Sequence, residues 1–280
     1  MTTATWSRPH PGPWRRGANS WTLLVLGGPL LLLLLLPLVA LVTKTTPAAM
    51  RQAIELDSTF QAVSLSLYTS TATLLLVLVF GTPLAFLLGR RRPPFASVLE
   101  VVTLLPTVLP PAVAGLALLM AFGRRGLMGS PLDALGIQIP FTPLAVVLAQ
   151  TFVAAPFYIS TAAVSLSAVS RELEQAAALD GADGWGTFLH VMLPLAWPGL
   201  IGGAALCWAR ALGEFGATII FAGNLPGRTQ TMPLAVYLGF EMDLSQALTL
   251  AVILLGCSFT ILMVVRTLLG RNAPIASFER

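Results

Sequence analysis

Six stretches of this chain run for about 20 residues with little or no charge, the length at which a helix crosses a bilayer. They cover residues 21–43, 61–89, 98–122, 141–165, 195–221 and 246–269. In hydrocarbon every backbone polar group has to be satisfied inside the protein, and a helix does so with its own bonds. The expected class is an all-α membrane protein with six transmembrane helices. Composition agrees. Asp, Glu, Lys and Arg make up 10% of the residues, against about 25% in a soluble domain. So few charges cannot coat a water-facing surface, which argues against a soluble enzyme, a nucleic-acid binder or a secreted disulfide scaffold. The net charge of +4 reads as arginines facing membrane lipid rather than as a nucleic-acid footprint.

Individual residues exclude more. Lys44 is the only lysine and it follows Thr43, so there is no G-x-x-x-x-G-K-[ST] loop to hold nucleotide phosphates. Cys207 and Cys257 lie in apolar runs and read as small buried hydrophobes. His10 and His190 stand apart from other ligand types at metal spacing. No catalytic residue, metal site or cofactor is expected in this chain.

Arg15 and Arg16 precede the first apolar run as they would in a signal peptide, but the run is too long and no clean small-x-small site follows it. It reads as a first transmembrane helix over 21–43, behind a cytoplasmic tail over 1–20. Arginine placement then sets the sidedness. With the N-terminus inside, the inner segments hold Arg8, Arg15, Arg16, Arg90, Arg91, Arg92, Arg171, Arg271 and Arg280. The outer loops hold Lys44, Arg51, Arg124, Arg125 and Arg228. Nine against five puts both termini, including a tail over 271–280, in the cytoplasm, with the Arg124–Arg125 pair as the counter-signal. Pro106, Pro110 and Pro111 all fall in the third run, which must kink or break there. Such a bend either faces the bundle interior or serves packing alone.

The connection over 170–194 reads SRELEQAAALDGADGWGTFLHVMLP. Ser170 suits a helix N-cap, and Glu172 and Glu174 put negative charge near the positive end of the helix dipole. Ala176, Ala177 and Ala178 give a small, closely approachable face, and Gly181 suits a C-cap. Trp185, Phe188, Val191 and Leu193 then resume an apolar pattern up to Pro194. The expected shape is a short helix, a glycine turn and a second amphipathic piece lying against the membrane. On physics alone a packed intracellular loop explains it equally.

The spacing of the segment resembles the EAA signature of bacterial ABC importer permeases. Ala176 and Ala177 match its alanines, Gly181 its glycine, and Leu193-Pro194 its closing pair. Val191 stands where that family has Ile. Gln175 stands where it has Glu, with Glu174 one place earlier. The resemblance implies that Glu174, Gln175, Ala176, Ala177, Gly181, Ala182, Trp185, Leu193 and Pro194 belong to a coupling loop that docks on a cytoplasmic ATPase. It also accounts for the missing phosphate loop, since such permeases draw their work from a separate ATPase chain.

In the fifth run Arg210 and Glu214 lie four apart, which places them on one helical face near mid-span. Each charge costs about 2.5–3.5 kcal/mol at the bilayer centre on insertion scales, and pairing offsets part of that. Gly213 and Gly216 would let another backbone approach closely. Two roles stay open. The pair fixes helix packing, or it lines a translocation pathway where Arg210 supplies positive potential for an anion and Glu214 keeps it from becoming a trap.

Residues 210–237 resemble molybdate permeases and their sulfate relatives. The likeness lies in Gly213-Glu214-Phe215-Gly216-Ala217, Gly223-Asn224, Pro226-Gly227, Thr229, Thr231 and Pro233-Leu234, and it extends through the proline-rich third run. It implies a type I ABC importer permease with its core over 60–270, moving molybdate by alternating access. The implied partners are a second copy in a homodimer, a cytoplasmic ATPase dimer and an extracytoplasmic molybdate-binding protein. A sulfate or tungstate permease is the nearest rival. An ion-coupled secondary carrier would call for inverted repeats or several intramembrane carboxylates. Here only Glu214 is deep in a run, while Glu100 sits near an end.

Overall fold

The computed structural model describes residues 20–91 and 93–272. The tail over 1–19, with Arg8, His10, Arg15 and Arg16, lies outside the described residues, as do Arg92 and residues 273–280 with Arg280. Among the described residues every regular element is helical. Helix α1 (Ser20–Lys44) is a unit by itself. Its run from Leu30 to Leu36 is exposed throughout, as suits a helix whose sides meet lipid.

The second unit begins at Thr45. It holds α2 (Pro47–Ile54), α3 (Asp57–Phe86), α4 (Ala96–Val108), α5 (Pro111–Phe122), α6 (Gly129–Ala134), α7 (Pro143–Ser167) and α8 (Arg171–Leu179). After these come α9 (Gly184–Thr187), α10 (Leu193–Leu212), α11 (Gly216–Phe221), α12 (Met232–Met242) and α13 (Leu244–Asn272). A π-helical turn, Leu87–Arg91, extends α3, and another, Phe188–Met192, joins α9 to α10. Five helical stretches are long and apolar enough to cross a membrane, and a bent pair makes a sixth if counted as one span.

That bent pair is the third apolar run. Helices α4 and α5 meet at 116° rather than forming one rod. The residue before a proline is pushed out of the helical region, and both Leu109 and Pro110 are extended, at ψ 134° and 135°. Pro111 then opens α5, where its missing N–H costs nothing, while Pro106 stays inside α4. Only the Pro110–Pro111 pair breaks the chain. The fourth run is shifted slightly. Thr142 caps α7 by accepting the Ala145 N–H at 3.4 Å, with Pro143 as its first residue, so Phe141 lies outside the helix.

The fifth run departs most from expectation. It is not one helix over 195–221: α10 stops at Leu212, the chain opens at Gly213, Glu214 and Phe215, and the short α11 begins at Gly216. The piece ahead of Pro194, expected as a second amphipathic segment, is not separate from the span that follows it. From Gly184 the chain is helical without interruption into α10, and Pro194 sits in that helix's first turn. The intervening π turn carries a bond from the Leu193 N–H to the Phe188 carbonyl five residues back.

Helix α7 is the hub: 56% of its apolar window is buried, against 22% for α3 and 17% for α13. Ala145, Ala149, Ala154 and Ala162 on it are fully buried, and such small residues let neighbouring helices come close. One core cluster joins α3, α7 and α10 around Val77, Tyr158, Leu166 and Leu200. A second joins α5, α7 and α11 around Ala114, Val146 and Phe221. A third joins α3, α10, α12 and α13 around Ala62, Leu212, Met232 and Leu250.

The junction of α5 with α11 is made by two glycines. A Cβ on Gly115 would meet the Ala217 carbonyl at 2.7 Å, and one on Gly216 would run into the Pro111 ring. Gly216 thus permits the close approach expected of it. Gly213 does not, since a Cβ there would meet only the Ala209 carbonyl of its own helix, at 3.6 Å. Gly115→Leu is therefore expected to cost about 1–3 kcal/mol through overpacking, while Gly213→Ala leaves stability near wild type. Thermal unfolding in detergent, followed by size-exclusion fluorescence, separates the two.

Candidate functional site

Two places carry the chemistry. The first is the segment over 170–194, whose ends are fixed by local capping. Ser170 accepts the Glu172 N–H on its hydroxyl at 3.2 Å and starts α8. At the other end the Gly181 N–H reaches the Ala178 carbonyl and the Ala182 N–H reaches that of Ala177, at 3.1 and 2.9 Å. This is a Schellman end, and it needs a left-handed residue. Gly181 supplies it at φ +89°. Asp183 caps the next helix by accepting the Gly186 N–H at 2.7 Å. Three local devices therefore shape a helix, a turn and a second helix start.

The side chains of α8 mostly face out. None of them is buried; Gln175, Ala176 and Leu179 are exposed, and Ala177 is half-buried. Ala182 and Leu193 are half-buried, and Pro194 is exposed. Trp185 is 66% exposed and stacks on Phe188 with ring centroids 5.7 Å apart. Glu174 is different. It turns inward and forms an ion pair with Arg90 in the π turn that ends α3. A salt bridge to Arg90, 84 residues away, is invisible to a local reading of the sequence. Its only trace there is Arg90's place in a basic cluster.

The second place is the break after α10. Arg210 Nη1 lies 2.7 Å from Glu214 Oε2, so the expected pair forms. It does not form on one helical face. Arg210 is in the last turn of α10, and Glu214 lies just beyond the helix end. The other carboxylate oxygen of Glu214 accepts the Ala217 N–H at 2.8 Å. One side chain thus neutralises Arg210 and satisfies a first-turn amide of α11, which would otherwise lack a partner. Exposure is unequal: Glu214 is 1% exposed and the Arg210 side chain 30%. The carboxylate is structural in its contacts, and the Arg210 side chain stays partly exposed.

A polar stripe on α3 leads along the same bundle. Ser66, Thr69, Ser70 and Thr73 are buried. Ser66 accepts the Met232 N–H at 2.7 Å, and Ser70 accepts from the Trp208 indole at 3.0 Å. Thr73 donates to Gln150 at 3.1 Å. These bonds tie α10, α12 and α7 to α3. The spacing of hydroxyl residues along 66–73 was available as a signal, though it says nothing about which partners they meet.

Kinship with known proteins follows the same outline. Residues 81–272 match the family of binding-protein-dependent transport system inner membrane components. The chain belongs to that family. It is therefore a multi-pass inner-membrane transport component rather than a catalytic subunit. This permease is 39% identical over 245 residues to the molybdenum transport system permease protein ModB of Mycobacterium tuberculosis, covering 88% of this chain and 91% of that one. It is 44% identical over 182 residues to the ModB of Escherichia coli, covering 65% of this chain and 80% of its relative. Among solved structures it resembles a bacterial ABC transporter that imports the acidic polysaccharide alginate, with a TM-score of 0.69 at 14% identity over 91% of this chain and 97% of that one. The last likeness concerns the fold.

Proposed function

We propose that this permease is the membrane-spanning subunit of an ATP-driven importer of molybdate, working by alternating access. The observation that carries the cargo is the 39–44% identity to two molybdenum permeases. The exposed, locally capped segment over 170–194 supports a docking role on a separate ATPase, since it offers shape without being held by a core. Leu179 is 88% exposed and would meet that ATPase, while Glu174 serves an internal contact. In this reading the permease works as a homodimer, with an ATPase dimer at the docking end and a molybdate-binding protein at the other. The Arg90–Glu174 pair supports the sidedness, because it brings the basic cluster and the docking segment to one end of the bundle. The positive-inside tendency makes that end cytoplasmic, and the count of arginines along the sequence argues for both termini in the cytoplasm.

Arg210 is the proposed pathway residue. A guanidinium has five N–H donors, so its bond to Glu214 leaves capacity for a tetrahedral oxyanion. Glu214 limits the positive potential there, and Gly213 and Gly216 shape the break around it.

Reconstitution with an ATPase and a binding protein tests the cargo. Labelled molybdate is expected to accumulate only when all three components and ATP are present, with excess sulfate leaving the rate unchanged. Equal competition by sulfate would assign the permease to the sulfate branch instead.

A further inference from the structure

We infer that Arg90 is a positioning residue, a strut that converts movement of the docking helix α8 into movement of α3 and α7. The inference rests on the docking role of residues 170–194. The reasons lie in how weakly α8 is otherwise held. It is a helix of nine residues with no buried side chain, and its packing is against its own neighbours, α9 and the following π turn. Between α8 and the end of α3 lies a cavity of about 500 Å³, lined by Phe86, Arg91, Gln175, Thr187 and Met192 among others. Close packing cannot carry a displacement across that space. The ion pair does: Glu174 reaches over from α8 and meets Arg90.

The far end of the strut is firmly set. The Arg90 side chain is 9% exposed, and its Nε is buried without a partner, so Glu174 is its charge partner among the described residues. Gly89, beside it, lies so near α7 that a Cβ there would collide with the Ala163 carbonyl. A pull on Glu174 therefore acts on the turn that ends α3, and that turn cannot shift without α7. Helix α7 in turn packs on α10, which carries Arg210. The position of the acid also acquires a reason. An acid at 174 meets Arg90, while residue 175 lines the cavity beside that pair, where an uncharged Gln can stand.

The test uses the complete transporter in proteoliposomes and reads oxyanion imported per ATP hydrolysed. Arg90→Ala is expected to keep the ATPase bound in copurification while that ratio falls about tenfold, within the range seen for residues that carry coupling. Glu174→Ala should lower it similarly, Arg90→Lys should lower it less, and the exchange Arg90→Glu with Glu174→Arg should restore most of the loss. A merely structural pair would lower membrane abundance and thermal stability in the single variants and leave import per ATP at the wild-type ratio in the protein that remains folded. Wild-type coupling in Arg90→Ala, or an exchange variant no better than the single ones, would overturn the strut. A Leu179→Cys probe in the otherwise unaltered transporter separates the two layers. Failure of that exposed position to cross-link to the ATPase would overturn the docking role itself.

Discussion

Glu214→Ala is expected to give a destabilised and inactive permease, with a loss of about 1–3 kcal/mol, the usual cost of leaving a buried amide without its acceptor, since the stranded Arg210 is partly solvated. The change strands Arg210 without its partner and the Ala217 N–H without its acceptor, at a site where Glu214 is 1% exposed. Glu214→Gln should fall between, because an amide oxygen can still take the Ala217 N–H but carries no charge. Membrane abundance and thermal unfolding in detergent read this part. The pathway role needs a different variant. Replacing both members, Arg210→Met with Glu214→Gln, removes the charges together and keeps the cap, so stability should largely return. Uptake should not return, since the half-exposed guanidinium is gone. Uptake at the wild-type rate in that double variant, at normal abundance, would sink the pathway role and leave the pair a packing device.

Gly181→Val is the second large effect. The residue sits at φ +89°, which a β-branched side chain adopts only with strain of about 1–2 kcal/mol. A Cβ there would meet nothing within 4 Å, so the effect acts through the backbone and not through a clash. The Schellman bonds from Gly181 and Ala182 would be lost, and α8, at nine residues, is too short to persist without its ends. ATP hydrolysis should then run without import, while insertion and abundance stay normal. Gly181→Asn is the control, because Asn tolerates the left-handed region at a helix end. Gly181→Asp has the milder conformational cost for the same reason, so any uncoupling it brings would come from charge in the docking segment. Normal import per ATP in Gly181→Val would remove the docking role.

These two sites differ in how far a reader of the chain alone could have reached them. The end of α8 was legible because capping is local. A Ser before a helical run and a Gly after it state their geometry within a few residues. The break at Pro110–Pro111 was legible for the same reason, since proline restricts the residue before it. The end of α10 was not. Residues 195–221 are apolar enough to read as one rod, and Glu214 reads as a helical neighbour of Arg210 at a spacing of four. Nothing nearby says that its carboxylate will turn to the Ala217 amide. Gly213 and Gly216 look alike in the chain as well, yet only Gly216 has a partner backbone against it.

What the sequence by itself determined is therefore the class and its punctuation: apolar runs of spanning length, a proline break, a capped helix and turn over 170–194 and a charge pair at 210 and 214. Each follows from solvation or from dihedral preference, which act over a few residues or along one run. Only the tertiary structure decided the partners. It decided that α7 is the central helix, that Gly115 and Gly216 seat α5 on α11, and that Glu174 turns inward to Arg90. The physical reason is that a buried charge or a missing Cβ has meaning only relative to what stands opposite it. Opposite residues here are separated by tens of positions in the chain.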